Sequence, residues 1–242
     1  MLTDMKGKLY LIPTPLGDND PLEVLPAPVF EIVKHITTYV VEETRTARRF
    51  LSKYGLKGKI DGLTFYELNE HTAAADAAAY VRLLEEGTDV GLMSEAGLPA
   101  VADPGGILVR AAHEHDIEVV PFVGPSSLML ALMSSGFNGQ SFAFNGYLPV
   151  KPDERRARLR AIEKISAQTG QTQILIETPY RNDAMMADML AALSPSTSVC
   201  VAANITCPDA CIRTRTVAEW KQNPPQIGKR PCVFVLMAAR MM

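Results

Sequence analysis

Three segments of the chain place glycine, proline and small polar residues directly after short apolar runs. They are Pro13-Thr14-Pro15-Leu16-Gly17-Asp18, then Ser94-Glu95-Ala96-Gly97-Leu98-Pro99 continuing through Ala102-Asp103-Pro104-Gly105-Gly106, and Gly124-Pro125-Ser126-Ser127. Glycines let backbone amides and carbonyls approach a ligand closely, and serines at a helix start either bond an anionic group or cap the helix. Each loop taken alone reads as a tight turn. Neither G-x-G-x-x-G nor G-x-x-x-x-G-K-[ST] occurs, so no dinucleotide fingerprint and no P-loop is signalled. Proton-accepting candidates are Glu42 and Glu43, at the end of the apolar run in VVEETR, and His71. Glu43 is the preferred base, although an acid pair at a strand end also reads as solvated or helix-capping. The stretch from Lys151 to Lys164 carries six basic residues against three acidic ones. Its arginines, Arg155, Arg156, Arg158 and Arg160, read equally as a solvated helix face or as phosphate contacts to RNA. Cys200, Cys207, Cys211 and Cys232 form no C-x-x-C and have no histidine nearby; they read as free thiols, and no metal is assigned.

Positioning such loops requires strands that end at them. Lys8 to Ile12 reads as a strand stopped by Pro13 and Pro15, and Thr37 to Glu43 as a second strand. Thr44 reads as the N-cap of a helix that runs to Tyr54 and closes at Gly55. A helix over 70–86, a strand from Asp89 to Ser94, a helix from Gly106 to His115 and a strand from Glu118 to Val123 continue the pattern. Strands alternating with helices imply a parallel sheet covered on both faces. The apolar pattern breaks near Tyr147-Leu148-Pro149 and resumes with strands at Gln173–Ile176, Val199–Ala203 and Cys232–Ala238 and a helix at Arg181–Leu193. The reading is α/β in two domains, 1–144 and 145–242, with a ligand cleft between them.

The 242 residues are 47% apolar and 21% charged, the profile of a globular protein. A net charge of −3 gives no global attraction to a polyanion, so a nucleic-acid contact has to be local. No apolar run approaches the ~20 residues of a membrane span, and residues 1–8 lack a secretory pattern. The expected location is the cytoplasm.

In order, the strings LIPTPLGDND, VEETRTARRFL, SEAGLPAVADPG, VGPSS and FNGYLP resemble the tetrapyrrole methylases, closest to their 16S ribosomal RNA ribose 2′-O-methyltransferase branch. ETPYR from Glu177, AANIT from Ala202 and Gly228-Lys229 extend the likeness over about residues 8 to 238. The resemblance implies two α/β domains, S-adenosylmethionine in the cleft between them and a homodimer. It implies cofactor contacts from Pro13, from Glu95, Ala96, Gly97 and Pro99, from Asp103 behind that loop, and from Ser126 and Ser127. From the second domain it implies Gly146, Tyr147 and Leu148, with Ala203, Asn204 and Ile205 beside the adenine. The chain departs from the branch at three places. Glu95 replaces an aspartate, Tyr66-Glu67-Leu68-Asn69-Glu70 replaces a His-Glu-His-Asn-Glu string with His71 just after it, and Ala203-Asn204-Ile205-Thr206 replaces Arg-Glu-Leu-Thr. The sequence also ends at Met242, without the small C-terminal helical domain of many members of the branch. The expected function is methylation of an RNA hydroxyl; a small-molecule methyltransferase and a cofactor-binding protein without turnover stay open.

Overall fold

The computed structural model describes residues 6–69, 72 and 74–239. They form two compact units, the first ending at Ser126 and the second beginning at Ser127. The division falls before the expected boundary at 144, because helix α6 (Ser127–Ser135) packs on strands of the second unit.

The first unit is a parallel sheet of β1 (Leu9–Ile12), β2 (Thr38–Val41), β3 (Thr64–Glu67), β4 (Val90–Met93) and β5 (Val119–Pro121), in the order β3-β2-β4-β1-β5. Side chains alternate across the strands. Tyr10, Ile12, Tyr39, Val41 and Met93 join one apolar cluster with α2 (Ala27–Val33) and α3 (Thr44–Leu51). Leu9, Leu11, Val40, Val90 and Leu92 join another with α4 (Ala74–Glu85) and α5 (Gly106–Glu114). Both faces are therefore covered, as near-continuous apolar strands require. The short α1 (Pro21–Val24) begins at an Asp20 cap.

Thr44 was expected to cap α3, but Glu43 does so, accepting from the Arg45 and Thr46 amides at 2.8 and 2.6 Å. The helix widens into a π turn at Ser52–Leu56, where Gly55 takes φ +94°. The sequence reading did not assign α1, α2 or β3 (TFYE), whose partly exposed residues give weak periodicity.

The second unit pairs β6 (Phe142–Tyr147), β7 (Thr172–Ile176), β10 (Cys232–Met237), β8 (Ser198–Ala203) and β9 (Cys211–Thr216) in that order. Only β6–β7 is a parallel pair; β10 is antiparallel to both neighbours, and β9 to β8. Antiparallel pairing appears because β8, β9 and β10 are joined without a full crossover helix between each pair. α6 covers one face, while α7 (Pro152–Thr169), α8 (Asn182–Ala192) and α9 (Val217–Gln222) cover the other around Leu159, Met185, Trp220 and Phe234.

Between α7 and α8, Asp188 is nearly inaccessible and accepts from Arg155 Nε at 2.6 Å and Arg156 Nη1 at 2.8 Å. Arg155, 3% exposed, also donates to the Val150 carbonyl. Arg155 is thus a structural ion-pair residue and not a phosphate contact, and Arg156 divides its guanidinium between Asp188 and Asp153. Removing one partner of a buried pair leaves the other charge uncompensated at about 3–5 kcal/mol. Asp188→Ala is expected to lower the denaturant midpoint of the second unit accordingly, whereas Arg158→Gln, on the exposed face of α7, is expected to leave it within about 0.5 kcal/mol.

Candidate active site

The order β3-β2-β4-β1-β5 contains one switch point. The chain leaves β1 toward β2 on one side and leaves β4 toward β5 on the other, so β1 and β4 are adjacent strands with diverging connections. Ligands of open α/β sheets bind outside the carboxyl ends of such a pair. The first two glycine-rich loops leave these two strands and are tied to each other there. The Thr14 amide donates to the Gly97 carbonyl at 2.9 Å, and the Gly97 amide to the Thr14 carbonyl at 3.1 Å. Thr14 is inaccessible, and the Tyr54 hydroxyl donates to the Pro13 carbonyl at 2.7 Å. Gly97 has φ +79°, and a Cβ there would stand 3.1 Å from Leu16 Cδ2 and 3.4 Å from the Pro125 carbonyl oxygen. A Cβ on Gly124 would collide with the Pro13 ring. The three loops therefore form one interlocked surface, two of whose contacts depend on absent side chains.

The loop after β4 holds an unusual backbone. Ala100 and Ala102 adopt φ of 65° and 63°, a conformation that costs a non-glycine residue about 1–3 kcal/mol and tends to mark functional sites. Asp103 Oδ1 maintains it by accepting from the Ala100 amide at 2.9 Å and the Gly105 amide at 2.7 Å. Burial raises the Asp103 carboxyl above its ordinary value, against those amide bonds. Pro99 is buried within the loop, while Glu95 and Ala96 are exposed.

Two acids follow β2, and they differ in kind. Both oxygens of Glu43 are engaged at the α3 cap, Oε2 also accepting from Thr46 Oγ1 at 2.6 Å, and its carboxyl is lowered first by that hydroxyl. The preferred base of the sequence reading is thus committed to the fold. Glu42, half-buried beside Ser94 and Glu95, is pushed up to about 7 by burial and then by the negative charge of Asp103, with the Glu95 amide bonding it and the Glu95 charge opposing ionisation. That leaves Glu42 the acid poised to exchange a proton near neutrality. The signal was available in VVEE: in a strand with alternating faces, adjacent residues cannot share one environment. His71 lies outside the described residues. Glu67, in the aligned string before it, accepts from the Thr44 amide and hydroxyl.

In the second unit β6, β7 and β8 run in the same direction, so the remaining candidates collect at one sheet edge. Gly146 has φ +64° at the irregularity of β6, Tyr147 is exposed, and Leu148 is buried in the unit's core. Ala203 is fully buried at the end of β8, Asn204 takes φ +49° and donates its amide to the Pro231 carbonyl, and Ile205 is 8% exposed. Leu148 and Ala203 thus present backbone, not side chains, to that edge. Ser126 and Ser127 stand at the junction of the units, Ser127 opening α6.

A family model described as Tetrapyrrole (Corrin/Porphyrin) Methylases matches residues 8–221. A protein of Haemophilus influenzae named ribosomal RNA small subunit methyltransferase I is 31% identical over 238 residues, 97% of this chain and 80% of that protein. A protein of the same name from Neisseria meningitidis is 34% identical over 83% of this chain, which spans 64% of its length. Among solved structures, the methyltransferase CobJ superposes with a TM-score of 0.63 at 17% identity, covering 98% of this chain and 97% of its own. Uroporphyrin-III C-methyl transferase from Thermus thermophilus, complexed with S-adenyl homocysteine, gives 0.58 at 17% identity, with 96% and 97% covered.

Two outcomes test this geometry. Positive φ and the contacts to Leu16 and Pro125 make Gly97→Val destabilising, by at least about 1–2 kcal/mol. A lowered thermal midpoint together with lost ligand affinity is expected. For Glu42, a folded value near 7 above the ordinary 4.5 means that the folded state holds the proton more tightly. The associated stability is complete below pH 4.5 and is lost as pH rises through 7. Glu42→Gln is therefore expected to melt above the wild type at pH 8 and level with it near pH 4.5, by scanning calorimetry.

Proposed function

The chain belongs to the tetrapyrrole methylases, and from that premise we propose that it transfers a methyl group from S-adenosylmethionine to a ribose hydroxyl of small-subunit ribosomal RNA. The observation that carries the RNA acceptor is the set of relatives, 31% and 34% identical over most of this chain, that bear the name ribosomal RNA small subunit methyltransferase I. A homodimer in the cytoplasm belongs to the same reading.

The interlocked loops fit the cofactor chemically. Glu42, Glu95 and Asp103 concentrate negative charge at the carboxyl edge of β2 and β4, and Asp103 and Glu95 both resist ionisation of Glu42. A ligand bearing positive charge relieves that repulsion, and Gly97 leaves room for close backbone approach. S-adenosylmethionine supplies a methyl group activated by a sulfonium. Glu95, Ala96, Gly97 and the Asp103-supported turn would hold it, with Pro13 behind them. Their work is positioning, which can contribute ~7–11 kcal/mol of barrier reduction by holding reactants in line. Glu42 accepts the proton that the acceptor hydroxyl gives up as its oxygen gains the methyl group, a role suited to a carboxyl titrating near operating pH. Arg158 and Arg160, exposed on α7, contact phosphate and leave the buried Arg155 to the fold.

Incubation with methyl-labelled S-adenosylmethionine and undermethylated ribosomal subunits is the test. Label is expected in small-subunit RNA, at a ribose, and Glu42→Gln is expected to lower the rate at least tenfold at saturating cofactor. Label appearing only in small molecules would replace the acceptor and keep the enzyme class.

A further inference from the structure

Strand β9 forms the edge of the second sheet, and its register places Cys211, Arg213 and Arg215 opposite Ala203, Val201 and Val199. Those three β8 residues face the core beneath α8 and α9. Alternation thus puts two arginines at positions where a covered strand would carry apolar side chains, while Ile212 and Thr214 turn to the face of α6, where Thr214 Oγ1 donates to the Ser135 carbonyl at 2.8 Å. Below them lies a cavity of about 300 Å³ whose wall includes Arg213, Arg215, Arg230, Asn223 and Trp220 and, among the described residues, no carboxylate.

Each group in the wall is anchored or available in a definite way. Trp220 is held by its Nε1 donating to the Val199 carbonyl at 2.9 Å, and the Arg215 guanidinium lies 5.1 Å from its ring centroid. Arg230 spends two donors on the Ile227 and Gln226 carbonyls, which fixes its fork and leaves further N–H groups over. Glu219, whose carboxyl is lowered first by Thr216 and last by the charge of Arg215, is hydrogen-bonded in the α9 capping box. Arg213 is exposed, with no acid across from it in the cavity wall. Charged residues discourage pairing at a sheet edge, which accounts for cations on a strand rim. It does not account for Arg230 and Asn223 arriving from the loop around Pro224-Pro225 to complete the same wall. Three guanidinium groups meet around one concavity whose described lining holds no carboxylate, and their planar donors match phosphate oxygens.

We infer that this cavity is a phosphate-binding pocket for the RNA backbone, with Arg213 and Arg215 as the charge-bearing contacts and Arg230 as a positioned donor. The inference rests on the RNA reading above and assigns it a second contact surface, distinct from α7.

The test uses the full chain, small-subunit ribosomal RNA and an unstructured oligouridylate, with affinity followed against salt concentration. Wild type is expected to show a falling log affinity with log salt, and Arg213→Gln to flatten that slope by ~0.7, the increment of one single-strand phosphate contact. Arg213→Lys is expected to retain the slope, and Arg110→Gln, an equal charge loss on exposed α5, to leave it unchanged. The thermal midpoint and S-adenosylhomocysteine affinity of Arg213→Gln are expected to match wild type. Salt-dependent RNA binding by wild type that both Arg213→Gln and Arg215→Gln leave unaltered would overturn the pocket while keeping the RNA acceptor. Absence of RNA binding by wild type at low salt would overturn both.

Discussion

The pair of hydrogen bonds between Thr14 and Gly97 is the constraint on which the first unit's chemistry depends. It joins the loops leaving β1 and β4 at the one place where the sheet's connections diverge, and so converts two independent turns into a fixed surface. Neither bond tolerates much around it. Gly97 lies in the left-handed region with Leu16 and Pro125 close to its missing Cβ, and Gly124 brings the third loop against Pro13. Because the backbone is locked first, the strained Ala100 and Ala102 can be held by a single carboxylate, Asp103, without the loop relaxing. A rigid backbone suits a reaction whose main demand is alignment.

Electrostatics follow from that rigidity. Partial burial of Glu42, and then repulsion from Asp103 and Glu95, keep its proton on to near neutral pH. Its neighbour Glu43 faces the start of α3, where amides and a hydroxyl stabilise the ionised form. One peptide bond separates an acid that serves the fold from one available for proton transfer, a separation of roles by environment seen wherever paired carboxylates divide acid and base work.

The second unit distributes its cations by the same logic. In α7, Arg155 and Arg156 converge on the buried Asp188 and hold two helices together, and the exposed arginines of the same helix are left for solvent or a polyanion. On β9 the cations stand around a cavity whose described lining holds no carboxylate. Charge of the same sign is structural where a buried carboxylate faces it, as Asp188 faces Arg155.

The sequence by itself determined the alternation of strands and helices, the three loops, the family and, through it, the fold. These are local or ordered patterns: apolar runs ended by Pro13 or Gly87, and motifs whose succession along the chain carries the information. Alternation within VVEE even held the distinction between Glu42 and Glu43, and T-V-A-E from Thr216 held the capping box of α9, though neither was read from it. What only the tertiary structure decided is pairing at long range. That Arg155 would meet Asp188 across two helices, that α6 would pack with the second unit, and that β9 would turn its arginines toward a cavity shared with Arg230 depend on contacts between residues far apart in the chain. A charged side chain has the same local signature whether it faces water, a phosphate or a buried partner. Its role is set by what the fold places opposite it, and no sequence window contains that partner.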